Sequence, residues 1–238
     1  MRSVRRLLVP LAALTTLVLL AGTPAAADPG PPPNSMASLG DSITRGFNAC
    51  GWYVDCTSRS FSTGDTSTVD SQGVDYVTML IGANDACTGT EAAMTPVATY
   101  RANIDAALSR LKTGLPTARV QLISVPDIHR LWSVGKGSGS ARSAWSLFSV
   151  CQSMLANPTS TAQADVDRRN RVRQRVVDYN TQLAQACAAY GPNCDFDDNA
   201  VFGYPFTLSQ LSTWDYFHPN TSGQQVVARV SYAAGFGW

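Results

Sequence analysis

Three short segments of this 238-residue chain carry side chains that together could perform acyl transfer. Ser42 lies in Ser38-Leu39-Gly40-Asp41-Ser42-Ile43-Thr44, Asn84 in Gly82-Ala83-Asn84-Asp85, and Asp215 and His218 in Asp215-Tyr216-Phe217-His218-Pro219. A serine hydroxyl becomes a useful nucleophile when an imidazole takes its proton. The imidazole is held in the right tautomer by a carboxylate on its other nitrogen, and the tetrahedral oxyanion needs fixed N–H donors. Ser42, His218 and Asp215 supply nucleophile, base and orienting carboxylate, and the Asn84 amide with the Ser42 backbone N–H supplies donors. Each residue also has a plainer use. Ser42, Asn84 and Asp85 are good capping residues, and a backbone carbonyl can replace Asp215 as the group that orients the imidazole. His129, the second of two histidines, follows a strand end in Pro126-Asp127-Ile128-His129. It is a rival base, but suits a loop or a pocket wall better.

The elements that would position these residues follow from periodicity. Ser35 to Leu39 reads as a short first strand ending at Gly40-Asp41-Ser42. Val74 to Ile81 is a continuous run typical of a strand buried on both faces, and Arg119 to Val125 is another. Val97 to Leu111 has helical spacing, with Thr95 as cap and Pro96 in the first turn. Ala162 to Ala189 reads as a long amphipathic helix, Asp195 to Phe202 as a last short strand, and Ser222 to Ala234 as a terminal helix. Strands alternating with helices predict an α/β fold with a parallel sheet covered on both faces. In such sheets functional residues gather outside the carboxyl ends of the strands, which is where the Ser42 and Asn84 segments fall.

Composition narrows the class. The chain is 45% hydrophobic and 15% charged with a net charge of +1, which suits a folded domain and gives no broad basic face for nucleic acid. Residues 1–27 read as a signal peptide. Arg2, Arg5 and Arg6 precede an apolar run from Leu7 to Ala21 and an Ala25-Ala26-Ala27 cleavage site, and the run is short for a stable membrane anchor. Its removal leaves 15 basic against 17 acidic residues, a net charge of −2. Residues 28–34 read as a flexible arm and 35–238 as one catalytic domain. Export makes the six cysteines candidates for three disulfides among 15 connectivities. Locality favours Cys50–Cys56 and Cys187–Cys194, leaving Cys87–Cys151.

With Gly40-Asp41-Ser42-Ile43, Gly82-Ala83-Asn84-Asp85 and Asp215-x-x-His218 in order, the chain resembles the SGNH (GDSL-type) hydrolases, most of all the secreted bacterial esterases, lipases and phospholipases. The resemblance runs from Ser38 to the end and includes the cysteine pattern. It implies a flavodoxin-like three-layer α/β/α fold with a parallel sheet. It also implies Ser42 as nucleophile, His218 as base, Asp215 as its orienting acid, and Asn84 with the Ser42 N–H as the oxyanion hole. No metal or other cofactor is implied. The absence of Gly-x-Ser-x-Gly argues against an α/β-hydrolase fold.

One block of the family pattern, a glycine after the second strand, is missing. Only 42 positions separate Ser42 from Asn84, and Thr57 to Gly73 holds nine Ser/Thr among 17 residues. Gly64 and Gly73 lack the expected surroundings, so a strand, its Gly turn and a helix are expected to be deleted. Asp195-x-Asp197-x-Asn199 begins like a calcium loop but has Ala200 and Phe206 where Gly and Glu belong, so it reads as a solvated strand end. Lys136 to Ser140 is Gly/Ser-rich and reads as a loop. The flanking Leu131, Trp132, Trp145, Leu147 and Phe148 read first as ordinary core, and second as walls of an acyl pocket or a lipid contact. The expectation is a secreted, monomeric serine esterase of the lipase or phospholipase type, acting on a small-molecule or lipid ester. The alternatives are an acetyl esterase on polysaccharide and a catalytically impaired relative that binds lipid or carbohydrate.

Overall fold

The computed structural model describes residues 31–61 and 74–237. The expected signal peptide, the start of the arm, and Gly64 and Gly73 of the shortened region lie outside the described residues. Strands β1 (Met36–Gly40), β2 (Tyr76–Leu80), β3 (Arg119–Leu122) and β4 (Cys194–Phe196) form a parallel sheet in the order β1-β2-β3-β4. Helices α1 (Ala83–Ala86), α2 (Val97–Gly114), α3 (Ile128–Gly135), α4 (Gly139–Leu147), α5 (Gln152–Leu155), α6 (Gln163–Tyr190), α7 (Ala200–Gly203) and α8 (Thr221–Ala233) connect and cover it. The fold is α/β. Among the described residues β1 has a strand neighbour on one side only, and Thr57–Arg59 is a single 3₁₀ turn.

Alternation along the strands sorts side chains between two layers. Leu39 and Met79 face α2 and line one cleft with Tyr100, Ile104 and Ala107. The opposite face is more polar than a purely apolar run predicts. Ser38 and Thr78 share a hydrogen bond of 2.7 Å, Tyr76 donates to Gln121, and Gln121 donates to the Ser231 carbonyl of α8. All but the half-buried Ser38 are buried, so each needs its partner, and the Gln121 bond to Ser231 helps fix how α8 sits on the sheet. The helices α2 and α6 pack through stacked Tyr100 and Tyr179, 4.2 Å between ring centroids.

Four local expectations are corrected. Pro96, not Thr95, takes the cap position of α2, accepting from Tyr100 N–H. The last strand stops at Phe196 and is followed by the turn of α7, because the Asp197 carboxylate accepts from the backbone N–H of Ser124, Asn199 and Val201 and from the Ser124 hydroxyl. Asp197 is therefore fully buried, not a solvated strand end. Lys136 to Ser140 is a short turn running into α4, whose first turn is capped by the Ser138 hydroxyl accepting from Ala141 N–H.

Three disulfides join Cys50–Cys56, Cys87–Cys151 and Cys187–Cys194. The second spans 64 positions, against 7 for the third. On loop-closure entropy, replacing Cys87 and Cys151 by Ser should cost about 4 kcal/mol, and replacing Cys187 and Cys194 about 2.5 kcal/mol. Urea midpoints of the two double variants check this, and the reverse order would show that strain or local packing outweighs chain entropy.

Candidate active site

Ser42 stands one residue beyond Asp41, where β1 gives way to a tight series of turns. The Asp41 carboxylate accepts from Ile43 N–H, the Asp41 carbonyl from Arg45 N–H and the Ser42 carbonyl from Phe47 N–H. Gly40 is required at the strand end, because a Cβ there would run into the Thr44 side chain and the Leu80 carbonyl. From the far side, Gln224 of α8, itself buried, donates to the Ile43 carbonyl and accepts from Phe61 N–H. No acceptor among the described residues takes the Ser42 N–H, which leaves it free for an oxyanion. Burial raises the Asp41 carboxyl above its usual range.

Asp215 and His218 belong to a loop pinned at both ends. Leu211 and Pro219 form an antiparallel bridge, Ser212 N–H donates to the His218 carbonyl, and the Asn220 side chain caps α8 through Gly223 N–H. Fully buried Trp145 of α4 donates its indole N–H to the Tyr216 carbonyl at 3.0 Å. Inside the loop one Asp215 oxygen accepts from the N–H groups of Phe217 and His218. The other lies 2.6 Å from His218 Nδ1. A carboxylate can only accept, so the proton sits on Nδ1 and Nε2 is the acceptor. Ser42 Oγ lies 2.7 Å from that Nε2 and donates to it. Nucleophile, imidazole and carboxylate thus form one hydrogen-bonded chain through both ring nitrogens, with no carbonyl standing in for Asp215.

The second Asp215 oxygen has a further donor that the sequence did not disclose. Asn48 Nδ2 donates to it at 2.7 Å. Asn48 is buried in a left-handed conformation. Its amide cannot flip without loss, since its Oδ1 accepts from Tyr53 N–H at 2.7 Å. Burial alone would raise the Asp215 pKa, but the bond and charge of His218, with the Asn48 amide and Phe217 N–H, hold it below the usual carboxylate range. The only hint in the sequence was an Asn close behind Ser42, and asparagines are common in turns.

Asn84 is exposed in the first turn of α1, directly after β2. The register Gly40↔Leu80 sets this turn beside the one that carries Ser42. Gly82 before it has φ 126° and packs against Tyr100 and Val125, so a side chain fits there neither sterically nor conformationally. The Cys87–Cys151 bridge and Ser153, whose hydroxyl donates to the Ala86 carbonyl, clamp the same turn. His129 lies in the first turn of α3, not in a loop or on the cleft wall, and among the described residues it bonds no serine; its ring lies against Trp132, 4.8 Å between centroids, and burial lowers its pKa. Beside the Ser42–His218 pair opens a small cleft of about 50 Å³, lined by Ile43, Ala83, Ile128, Leu131, Phe206 and Phe217. It is almost wholly apolar. Among the described residues no group of His, Cys, Asp or Glu could hold a metal ion, the Asp195 to Asn199 stretch included.

A family model described as the GDSL-like lipase/acylhydrolase family matches residues 38–226. The chain belongs to this family. Its members are carboxylic ester hydrolases, and the matched span takes in Ser42, Asn84, Asp215 and His218. No curated protein matches the sequence. Two solved structures are remote likenesses. An extracellular lipase from Streptomyces rimosus is 19% identical with a TM-score of 0.49, over 84% of this chain and 99% of that one. A variant of an acetyl-xylooligosaccharide esterase from a Geobacillus species is 16% identical with a TM-score of 0.47, over 86% and 94%. Membership of the family rests on the sequence match.

The Asn48 geometry gives a test that separates charge from shape. Asn48→Asp keeps the size of the side chain and the acceptor for Tyr53 N–H, but sets two carboxylates face to face. At neutral pH kcat on a soluble ester should fall about ten- to a hundredfold, because the two carboxylates repel, so that Asp215 takes up a proton or turns away from His218 Nδ1. An unchanged kcat would show that Asn48 serves the loop alone.

Proposed function

We propose that this chain is a secreted serine ester hydrolase that works through an acyl-enzyme, with Ser42 as nucleophile, His218 as general base and then acid, and Asp215 as the residue that orients and stabilises His218. The reading rests on one observation, the 2.6 Å and 2.7 Å contacts that run from Asp215 through His218 to Ser42. The Ser42 proton passes to Nε2 as Oγ attacks the ester carbonyl. The resulting oxyanion takes hydrogen bonds from Ser42 N–H and the Asn84 amide. Collapse of the intermediate expels the alcohol, which receives the proton from Nε2, and water then repeats the sequence to release the acid. The family glycine would have been a third donor. With the glycine block deleted, as the sequence leads us to expect, two donors remain, and one donor of this kind is worth about 10²–10³ in turnover.

The cleft beside Ser42 supports an apolar acyl group over acetate: its walls are aliphatic and aromatic, and it adjoins the imidazole. Such a group gains about 0.8 kcal/mol for each buried methylene. Secretion is supported by the leader-like residues 1–27 and by three disulfides, which persist in oxidising compartments. No helix among the described residues is long and apolar enough to cross a membrane. Neither a cofactor nor a second subunit is needed by the mechanism, and a monomer suffices.

Hydrolysis of p-nitrophenyl esters by residues 28–238 tests the proposal. Turnover on the butyrate should be present in the parent, fall by at least about 10³ in Ser42→Ala and in His218→Ala, and exceed that on the acetate in kcat/KM. A folded protein without turnover would overturn the hydrolase reading, and a preference for acetate would favour the acetyl-esterase alternative.

A further inference from the structure

Eight large hydrophobic residues are exposed among the described residues, and six of them gather at one place: Trp52, Tyr53, Val54, Leu147, Phe148 and Trp214. They come from three separate segments, the loop closed by Cys50–Cys56, the end of α4, and the loop that carries Asp215. Trp52 is the hub. Its ring lies 5.0 Å from Phe148, 5.8 Å from Trp214 and 6.3 Å from Tyr53. Contiguous exposed apolar surface costs solubility and marks an interaction site far more often than scattered apolar residues do.

The patch is continuous with the reacting groups. The Phe47 ring stands 5.5 Å from Tyr53 on one side and 5.1 Å from His218 on the other. Trp214 immediately precedes Asp215. The loop that presents Trp52, Tyr53 and Val54 is stiff, since a disulfide closes it and Asn48 holds it through the N–H of Tyr53 and the carbonyl of Val54. A rigid ridge loses little conformational freedom on binding.

We infer that this ridge seats the enzyme on the surface of an aggregated, electrically neutral lipid, with the Ser42 cleft opening beside the contact. The inference rests on the hydrolase reading for what happens next to the ester, but not for the binding itself. Two features choose lipid over a glycan chain. Leu147, at 76% exposed, and Val54 have no face to stack on a sugar ring, whereas both can enter an acyl layer. The rings around Trp52 are tilted by 44–50° to its plane, so they make a wedge instead of a flat platform. Trp, Tyr, Phe and Leu are the side chains that settle at a membrane–water boundary. Neutrality rests on the loop that presents the ridge, whose one charged residue between Cys50 and Cys56 is Asp55. Asp55 of the same loop is paired with Arg45 at 3.0 Å, so this pair gives the patch no free cation for an anionic headgroup.

The test is flotation of residues 28–238, carrying Ser42→Ala so that the lipid stays intact, with phosphatidylcholine vesicles. The protein should float with them to the same extent at low salt and at about 0.5 M salt, where charge attraction is screened, and adding phosphatidylglycerol should not improve it. Leu147→Asp with Phe148→Ser should reduce the bound fraction at least about tenfold. Both side chains are exposed, and circular dichroism with p-nitrophenyl butyrate turnover in the Ser42 background reports that the double variant is folded. No flotation, or flotation abolished by salt, would overturn the inference. So would retention on insoluble xylan that is lost in Trp52→Ala, which would make the ridge a glycan platform. Failure of flotation with butyrate turnover intact rejects the lipid surface alone, whereas flotation without turnover rejects the hydrolase reading alone.

Discussion

The bond between Ser42 and His218 joins residues 176 positions apart, and nearly every feature around it can be understood as a means of holding that distance at 2.7 Å. A serine hydroxyl and an imidazole gain little from meeting in water. The bond persists because both partners sit on segments whose other polar groups are already satisfied. Ser42 is fixed from below by the Asp41 turn and from the side by Gln224 of the terminal helix. His218 is fixed by Asp215, by the bridge between Leu211 and Pro219, and by Trp145 reaching the Tyr216 carbonyl. The terminal helix α8 thus does two things. Its first turn is capped by Asn220, which follows the loop that carries His218, and its Gln224 supports the turn that presents Ser42.

Asp215 shows how much of this is electrostatics in a place of low polarity. Taken alone, its burial would favour a neutral carboxyl and an imidazole of uncertain orientation. Three kinds of donor reverse that: the imidazole, two backbone N–H groups and the Asn48 amide. Asn48 is also the link to the surface, because the loop it holds by Tyr53 and Val54 is the one that carries the exposed aromatics. A residue that helps His218 keep the carboxylate charged is therefore also one that holds the ridge beside the cleft.

The parts of the site that were legible from the residues alone were those whose chemistry is local. Ser42, Asn84 and the Asp215–His218 pair stand beside strand ends or a helix start, and periodicity located those elements because β2, α2 and α6 bury regular faces. Two of the cysteine pairs followed from short separations, and Cys87–Cys151 was what they left. What escaped notice depends on contacts that sequence spacing does not encode. Asn48 and Asp215 are 167 positions apart, and nothing near Asn48 marks it as more than a turn residue. Asp197 was read as solvated because acidic residues usually are, yet Ser124, which is 73 positions earlier, buries it. A Gly/Ser-rich stretch hid the start of α4, since composition favours a loop and only the Ser138 cap with the buried Trp145 below it decides for a helix. Leu147 and Phe148, read first as core and second as a lipid contact, are exposed, but Trp52 and Trp214 join them only in three dimensions.

The central claim is that Ser42 is an activated nucleophile because His218 and Asp215 are aligned behind it. A fluorophosphonate, which reacts only with serines so activated, tests it without assuming any substrate. Peptide mapping by mass spectrometry after labelling of residues 28–238 should place one adduct on Ser42, and none should form in His218→Ala. An adduct on another residue, or an unlabelled Ser42 in a folded protein, would contradict the account.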